Sequence, residues 1–210
     1  MPALLTVPLA SEYLAVPFTL TGISLTNLSN PMAKSCFSLN IDNYQNLVER
    51  VQDDPDAAQF AFTATTRWQG GAITETEARG RTIAADEPED LGGQDSALDP
   101  VELLLASLGS CVSIGLVTQA AQRGIDFDDF EIEVTGELDL RGYLGVDDSV
   151  RPGYKNLEYT VRIESDASEE TLREILEAAE RTSPMFDNIS NGVPISSSLE
   201  VSAPAGAASA

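Results

Sequence analysis

The chain carries 34 acidic and only 12 basic residues among 210, a formal charge of −22, and it contains no histidine. That field repels nucleic acid and anionic membranes, and the lack of histidine excludes Ser-His-Asp and Cys-His catalysis and the usual zinc sets. Two cysteines, Cys36 and Cys111, make no disulfide framework, so the sequence points to a reducing, cytoplasmic setting, with the acidity read as the solvated surface of a halophilic protein.

At this length one domain with appendages, or two small domains, is expected. Residues 1–40 are mildly apolar, rich in Pro, Thr and Ser, and hold no Lys or Arg before Lys34. They read as a poorly ordered extension, without the basic start and compact apolar centre of a secretory signal, and Met32 is a candidate for the true start. A short N-terminal helical piece follows over 41–57. Within it Ile41–Asp54 reads as an amphipathic helix with Asp42 and Gln45 as capping pair, a stripe of Tyr44, Leu47, Val48 and Val51, and Pro55 as its stop. The main domain is expected over 58–202. Phe60–Gln69 alternates as a strand does, Gly70-Gly71 signals a hairpin, and Ala72–Ala78 and Arg79–Ala85 give two more strands. An acidic loop, Asp86–Leu98, leads into the next element.

Asp99–Arg123 is the organising helix. Asp99 suits the N-cap, Pro100 the first helical position and Glu102 the capping-box carboxylate, while Arg123-Gly124 closes it. Val101, Leu103, Leu104, Leu105 and Leu108 fill its first turns; Ser107, Gly109, Ser110 and Gly115 then surround Cys111. A helix apolar on nearly every side must be enclosed, so a dimer that sandwiches it is expected. No uninterrupted apolar run reaches the length of a bilayer span.

Phe130–Leu140 and Leu157–Glu164 read as long strands joined by the loop Arg141–Asn156. A second helix begins at Ser168, with Leu172, Ile175, Leu176 and Ala179 on one face. Pro184 follows the helix, Gly192 marks a turn, Val193–Val201 reads as a final strand, and 203–210 as a disordered tail. Runs of antiparallel strands with interspersed helices make the class α+β.

Four pieces in this order, Pro100–Cys111 (PVELLLASLGSC), Arg141–Gly145 (RGYLG), Arg151–Tyr154 (RPGY) and Thr182–Met185 (TSPM), resemble the OsmC/Ohr family of osmotically induced and organic hydroperoxide resistance proteins. The resemblance extends over residues 58–202. It implies an OsmC-like fold, two antiparallel sheets wrapped around two central helices in an intertwined homodimer, with a thiol peroxidase site at the subunit interface. No cofactor or metal is expected. In that chemistry a thiolate attacks a small hydroperoxide to give an alcohol and a sulfenic acid, and a second cysteine condenses with the latter. Cys111 matches the attacking cysteine.

Three positions depart from the family pattern. Its second cysteine falls on Ser183, so recycling would need an external thiol reductant. Its site carboxylate falls on Val101; the nearest carboxylate, Glu102, lies nine residues before Cys111, about half a turn round a regular helix from it. Its activating arginine on an early strand has no clean counterpart; Arg67, Arg79 and Arg81 are the only nearby candidates.

Each of these residues also has a purely structural explanation. Cys111 sits mid-helix among apolar residues, where a quiet packing thiol is common. Glu102 is accounted for by capping. Ser107, one turn before Cys111, is either a donor to a thiolate or a small residue at a helix crossing. Arg67 beside Trp68 is explained by stacking or by pairing with surface acid, and Arg141 and Arg151 by ion pairs in their Asp-rich loop. Cys36 falls outside the matched domain. The clusters Asp126-Asp128-Asp129 and Asp147-Asp148 lack calcium-loop spacing and read as solvated surface. Two functions follow: a single-cysteine peroxidase acting through Cys111, or a non-enzymatic OsmC-like ligand-binding or stress protein whose cysteine is inert.

Overall fold

The computed structural model describes residues 35–202. The expectations for residues 1–34, including Met32 as a start, and for the tail 203–210 lie outside the described residues. The order of elements is α1 (Ile41–Asp53), β1 (Thr65–Gly70), β2 (Ile73–Ala78), β3 (Arg81–Ala85), α2 (Pro100–Gln122), β4 (Asp129–Glu137), α3 (Leu140–Tyr143), β5 (Asn156–Glu164), α4 (Glu169–Arg181) and α5 (Pro184–Asn191). Two antiparallel sheets result, β1-β2-β3 and β4-β5. The class is α+β, as the pattern of elements predicts.

The core lies between α2, α4 and one face of the β4-β5 sheet. On α2 every fourth residue is buried, namely Leu108, Val112, Leu116 and Ala120, and α4 answers with Ile175, Ala178 and Ala179. β4 and β5 pair in unbroken register from Asp129↔Glu164 to Glu137↔Asn156. Strict alternation puts Phe130, Ile132 and Val134 with Leu157, Tyr159, Val161 and Ile163 against the helices. On the opposite face Arg162 bonds Glu131 and Glu133 at 2.9 and 2.8 Å, exposed pairs of little energetic weight.

The caps follow the sequence closely at α2. Asp99 accepts from the Val101 N–H at 2.7 Å, and its own N–H donates to Glu102 Oε2 at 2.9 Å, the reciprocal capping box. At α1 the cap is Asn40, which accepts from the Asn43 N–H at 3.0 Å, and not the Asp42/Gln45 pair. α2 has 23 residues and the apolarity of a membrane span, a test that core helices of soluble proteins also pass.

Four expectations need correction. Residues 35–40 are tied to the core: Ser35 Oγ and the Cys36 N–H donate to Asp126 at 2.7 and 2.6 Å, and Cys36 is buried in the core cluster. Asp126 therefore tethers the short turn Cys36–Ser38, whose N-cap is Ser35, where the sequence suggested solvated surface. The loop after β4 contains the one-turn helix α3, capped by Asp139. Pro184 does not just follow a helix end; with Ser183 as N-cap it opens α5. Val193–Val201 is not a strand, because its alternating residues find no neighbouring strand among the described residues, and Ile195 and Leu199 are 91% and 87% exposed.

α2 and α4 cross where Gly115 meets Ala179: a Cβ on Gly115 would stand 3.0 Å from the Ala179 Cβ and 3.3 Å from its Cα. Ala179→Leu is expected to cost about 1–3 kcal/mol by overpacking, measured by denaturant unfolding. Asp86 organises the loop into α2, accepting from the Ser96 hydroxyl (2.7 Å) and from the N–H groups of Ser96, Gln94 and Glu87 (3.1, 3.1 and 2.9 Å). The Ser96 hydroxyl, followed by these backbone donors, holds its carboxyl below the usual range. A carboxyl lowered on folding contributes stability above its unfolded pKa, and the contribution is lost as pH falls through the folded value. Asp86→Asn should lower the melting temperature at neutral pH and flatten the acid limb of stability in calorimetry from pH 7 downward; an unchanged acid limb would contradict this.

Candidate active site

The crossing that seats Gly115 on Ala179 sets the register of everything around Cys111. Four residues back along α2 from Gly115 is Cys111; four residues on from Ala179, just past the end of α4, is Ser183. The two meet, with Ser183 Oγ 3.2 Å from Cys111 Sγ. A step back on one helix matching a step forward on the other means that α2 and α4 run antiparallel.

Ser183 is buried, and its hydroxyl is used twice. As N-cap of α5 its oxygen accepts the Phe186 N–H at 3.2 Å, leaving its O–H to donate to the sulfur. Cys111 itself is half-buried, neither open nor sealed. Its sulfur thus adjoins the N-terminus of an eight-residue helix, whose dipole presents partial positive charge there. A hydroxyl donor and a helix N-terminus are both favourable neighbours for a thiolate.

The other candidate residues lie apart from this pair. Glu102 is held in the capping box, about 13 Å along the helix axis from Cys111. Val101 sits beside it, its carbonyl accepting from the Tyr154 hydroxyl at 3.0 Å. Ser107 turns its hydroxyl to the Leu104 carbonyl at 2.8 Å rather than to the sulfur. Arg67 lies on β1 and pairs with Glu77 of β2 at 3.4 Å. Arg79 is in the β2–β3 turn with φ 52°, and Arg81 opens β3. Arg141 pairs with Asp139 and Asp147, at 2.7 and 3.4 Å, as its acidic loop predicts. Among the described residues, none of the ion pairs brings a cation to Cys111, and no group of three or more Cys, Asp or Glu is placed to hold a metal. Cys36 is a core residue whose thiol burial pushes upward in pKa.

Ser183 is the residue whose role the sequence understated. Read as a lost second cysteine, it is also a hydrogen-bond donor to the sulfur, and the signal was present: Ser-Pro is a helix start as well as a helix stop. Two surface cavities flank the site without being lined by Cys111. One, of about 330 Å³, lies between α4 and α5 and is lined by Glu177, Glu180, Arg181, Phe186 and Asp187 among others. The other, of about 370 Å³, runs between α2 and β4 along Leu105, Gly109, Ser113 and Val134.

Comparison with solved structures gives the same fold. An osmotic stress induced and detoxification response protein from Psychrobacter arcticus superposes with TM-score 0.53 at 21% identity, over 64% of this chain and 92% of that one. An OsmC-like protein from Mycoplasma pneumoniae gives 0.52 at 16% identity, over 63% and 88%. An organic hydroperoxide resistance protein OsmC from Legionella pneumophila gives 0.50 at 18%, over 64% and 93%. No curated protein matches the sequence. The sequence model of the OsmC-like proteins matches residues 93–198, just over half of the chain, and this chain belongs to that family.

Proposed function

We propose that the protein is a thiol-dependent peroxidase of single-cysteine type that reduces organic or hydrogen peroxides at Cys111. The observation that supports it is the Ser183 hydroxyl donating to the Cys111 sulfur at the start of α5. The thiolate of Cys111 attacks the terminal peroxide oxygen; an S–O bond forms, the O–O bond breaks, and the alkoxide leaves as alcohol after taking a proton. The product is a sulfenic acid. Ser183 cannot condense with it, so a first external thiol forms a mixed disulfide with release of water. A second external thiol then frees Cys111 and leaves as the oxidised disulfide.

The reading includes a homodimer, because large apolar side chains on both parts of the chain stand uncovered. Leu104 and Ile114 on α2 and Trp68 and Ile83 on the β1-β2-β3 sheet are 36%, 66%, 75% and 50% exposed. A second copy that lays its three-stranded sheet over α2 would cover both sets; Arg67 is on the other face of that sheet, paired with Glu77, so this packing turns it away from Cys111. Glu102 and Val101 then shape the mouth of the site rather than its chemistry. The charge of −22 fits a salt-rich cytoplasm.

The second reading, a ligand-binding or stress protein with an inert cysteine, is favoured by one observation: the ion pairs of the described residues bring no cation to Cys111. A single experiment separates the two. The purified protein is treated with cumene hydroperoxide and a sulfenic-acid probe, with Cys111→Ser as control. Labelling of Cys111 alone supports the peroxidase; labelling no greater than the control sinks it. Removing the donor in Ser183→Ala is expected to slow peroxide reduction about fivefold, the worth of one ordinary hydrogen bond. In Ser183→Cys the introduced thiol takes the place of that donor, so peroxide should now yield a disulfide to Cys111, seen by non-reducing peptide mapping. Light scattering should report a dimer, and Trp68→Glu combined with Ile83→Glu should give monomers.

A further inference from the structure

Glu180 stands in the last turn of α4, where a negative charge opposes the helix dipole. It is partly buried, and its side chain is held by Tyr159. The Tyr159 hydroxyl, projecting from the inward face of β5, donates to Glu180 Oε1. Burial first, then the Glu180 carboxylate, pushes the Tyr159 hydroxyl up in pKa, which keeps it a donor at neutral pH.

The contact has a consequence for the sulfur. The backbone carbonyl of Glu180 accepts the Ser183 N–H at 3.1 Å, so the residue anchored to the sheet through its side chain also carries Ser183 through its main chain. Ser183 is the single residue between the C-cap of α4 and Pro184 of α5. A helix end frays unless it is tied, and a junction between two helices can swing about such an end. Beneath the tie, Gly115 and Ala179 fix how closely the helices approach. Tyr159 adds a second hold one residue further on, at Glu180. It is itself fixed by pairing with Val134 in the unbroken β4-β5 ladder.

We propose that Tyr159 and Glu180 are positioning residues which clamp the end of α4 to β5 and thereby hold the Ser183 hydroxyl on the Cys111 sulfur. The proposal deepens the thiol reading given above and rests on it. It is tested through the sulfur itself, without peroxide turnover.

The rate of Cys111 alkylation by iodoacetamide, followed by peptide mass spectrometry on the full-length protein, is compared in a double-mutant cycle of Tyr159→Phe and Ser183→Ala. Each single variant is expected to slow alkylation about fivefold, and the double variant to be no slower than Ser183→Ala alone, because the clamp acts only through that hydroxyl. Glu180→Gln keeps an acceptor for Tyr159 and should react at the wild-type rate, whereas Glu180→Ala should match Tyr159→Phe. This rescue separates positioning from general loosening, and Glu180→Ala serves in place of Tyr159→Phe should the latter not fold. Rates in Tyr159→Phe equal to or above wild type, or losses that multiply in the double variant, overturn the clamp and leave the thiol reading intact. A Ser183→Ala rate equal to wild type overturns both.

Discussion

The fold depends on how closely two helices are allowed to approach. Helix axes ordinarily pack about 8–10 Å apart, the spacing set by the side chains at the contact. Here Gly115 presents none and Ala179 only a methyl group, so the α2 and α4 backbones sit near the short limit. One turn away, that spacing brings a sulfur and a hydroxyl into contact. The same glycine that reads as a weak point in an apolar helix is thus what makes a half-buried polar contact possible. Its conformational cost in a helix, about 1 kcal/mol relative to alanine, is offset by the burial that the close crossing permits.

From that crossing the rest of the core follows. α2 can bury only part of its apolar surface within one chain, because α4, α5 and β4 occupy one side of it. The β1-β2-β3 sheet, joined to α2 through the Asp86 loop, keeps its large apolar residues in solvent. A chain with exposed tryptophan and isoleucine on one element and exposed leucine and isoleucine on another has two surfaces that water does not favour. In the homodimer proposed above, a second copy would cover both.

Much of this was legible in the sequence, and where it was not the cause is specific. The capping box at Asp99 and Glu102 was readable because both partners are local. The β4 and β5 alternation was readable because one face is buried and the other wet. Val193–Val201 alternates in the same way, yet alternation reports only what a strand would bury, not whether another strand is present to pair with it. The α5 start is ambiguous in sequence because Pro184 after a helix reads as a stop, although the residue before it is a good N-cap. The tie between Ser35, Cys36 and Asp126 spans some ninety residues, and no local pattern announces a contact at that separation. The Cys111–Ser183 contact was visible only through the family resemblance, which placed both residues but did not say that a serine there would turn its hydroxyl to the sulfur.

What serine does at that position is different in kind from what cysteine does. A thiol opposite Cys111 is a covalent partner, and it caps a helix poorly because sulfur is a weak acceptor. A hydroxyl cannot form the disulfide, but it caps α5 and still has a proton to donate. Under the peroxidase reading the chemistry of the site is then divided: stabilisation of charge on sulfur stays inside the protein, and reduction of oxidised sulfur passes to an external thiol. Under the peroxidase reading this makes the lifetime of the sulfenic acid depend on the external thiol supply. An acidic surface that repels anionic thiols at low salt and admits them as screening increases would tie that lifetime to ionic strength.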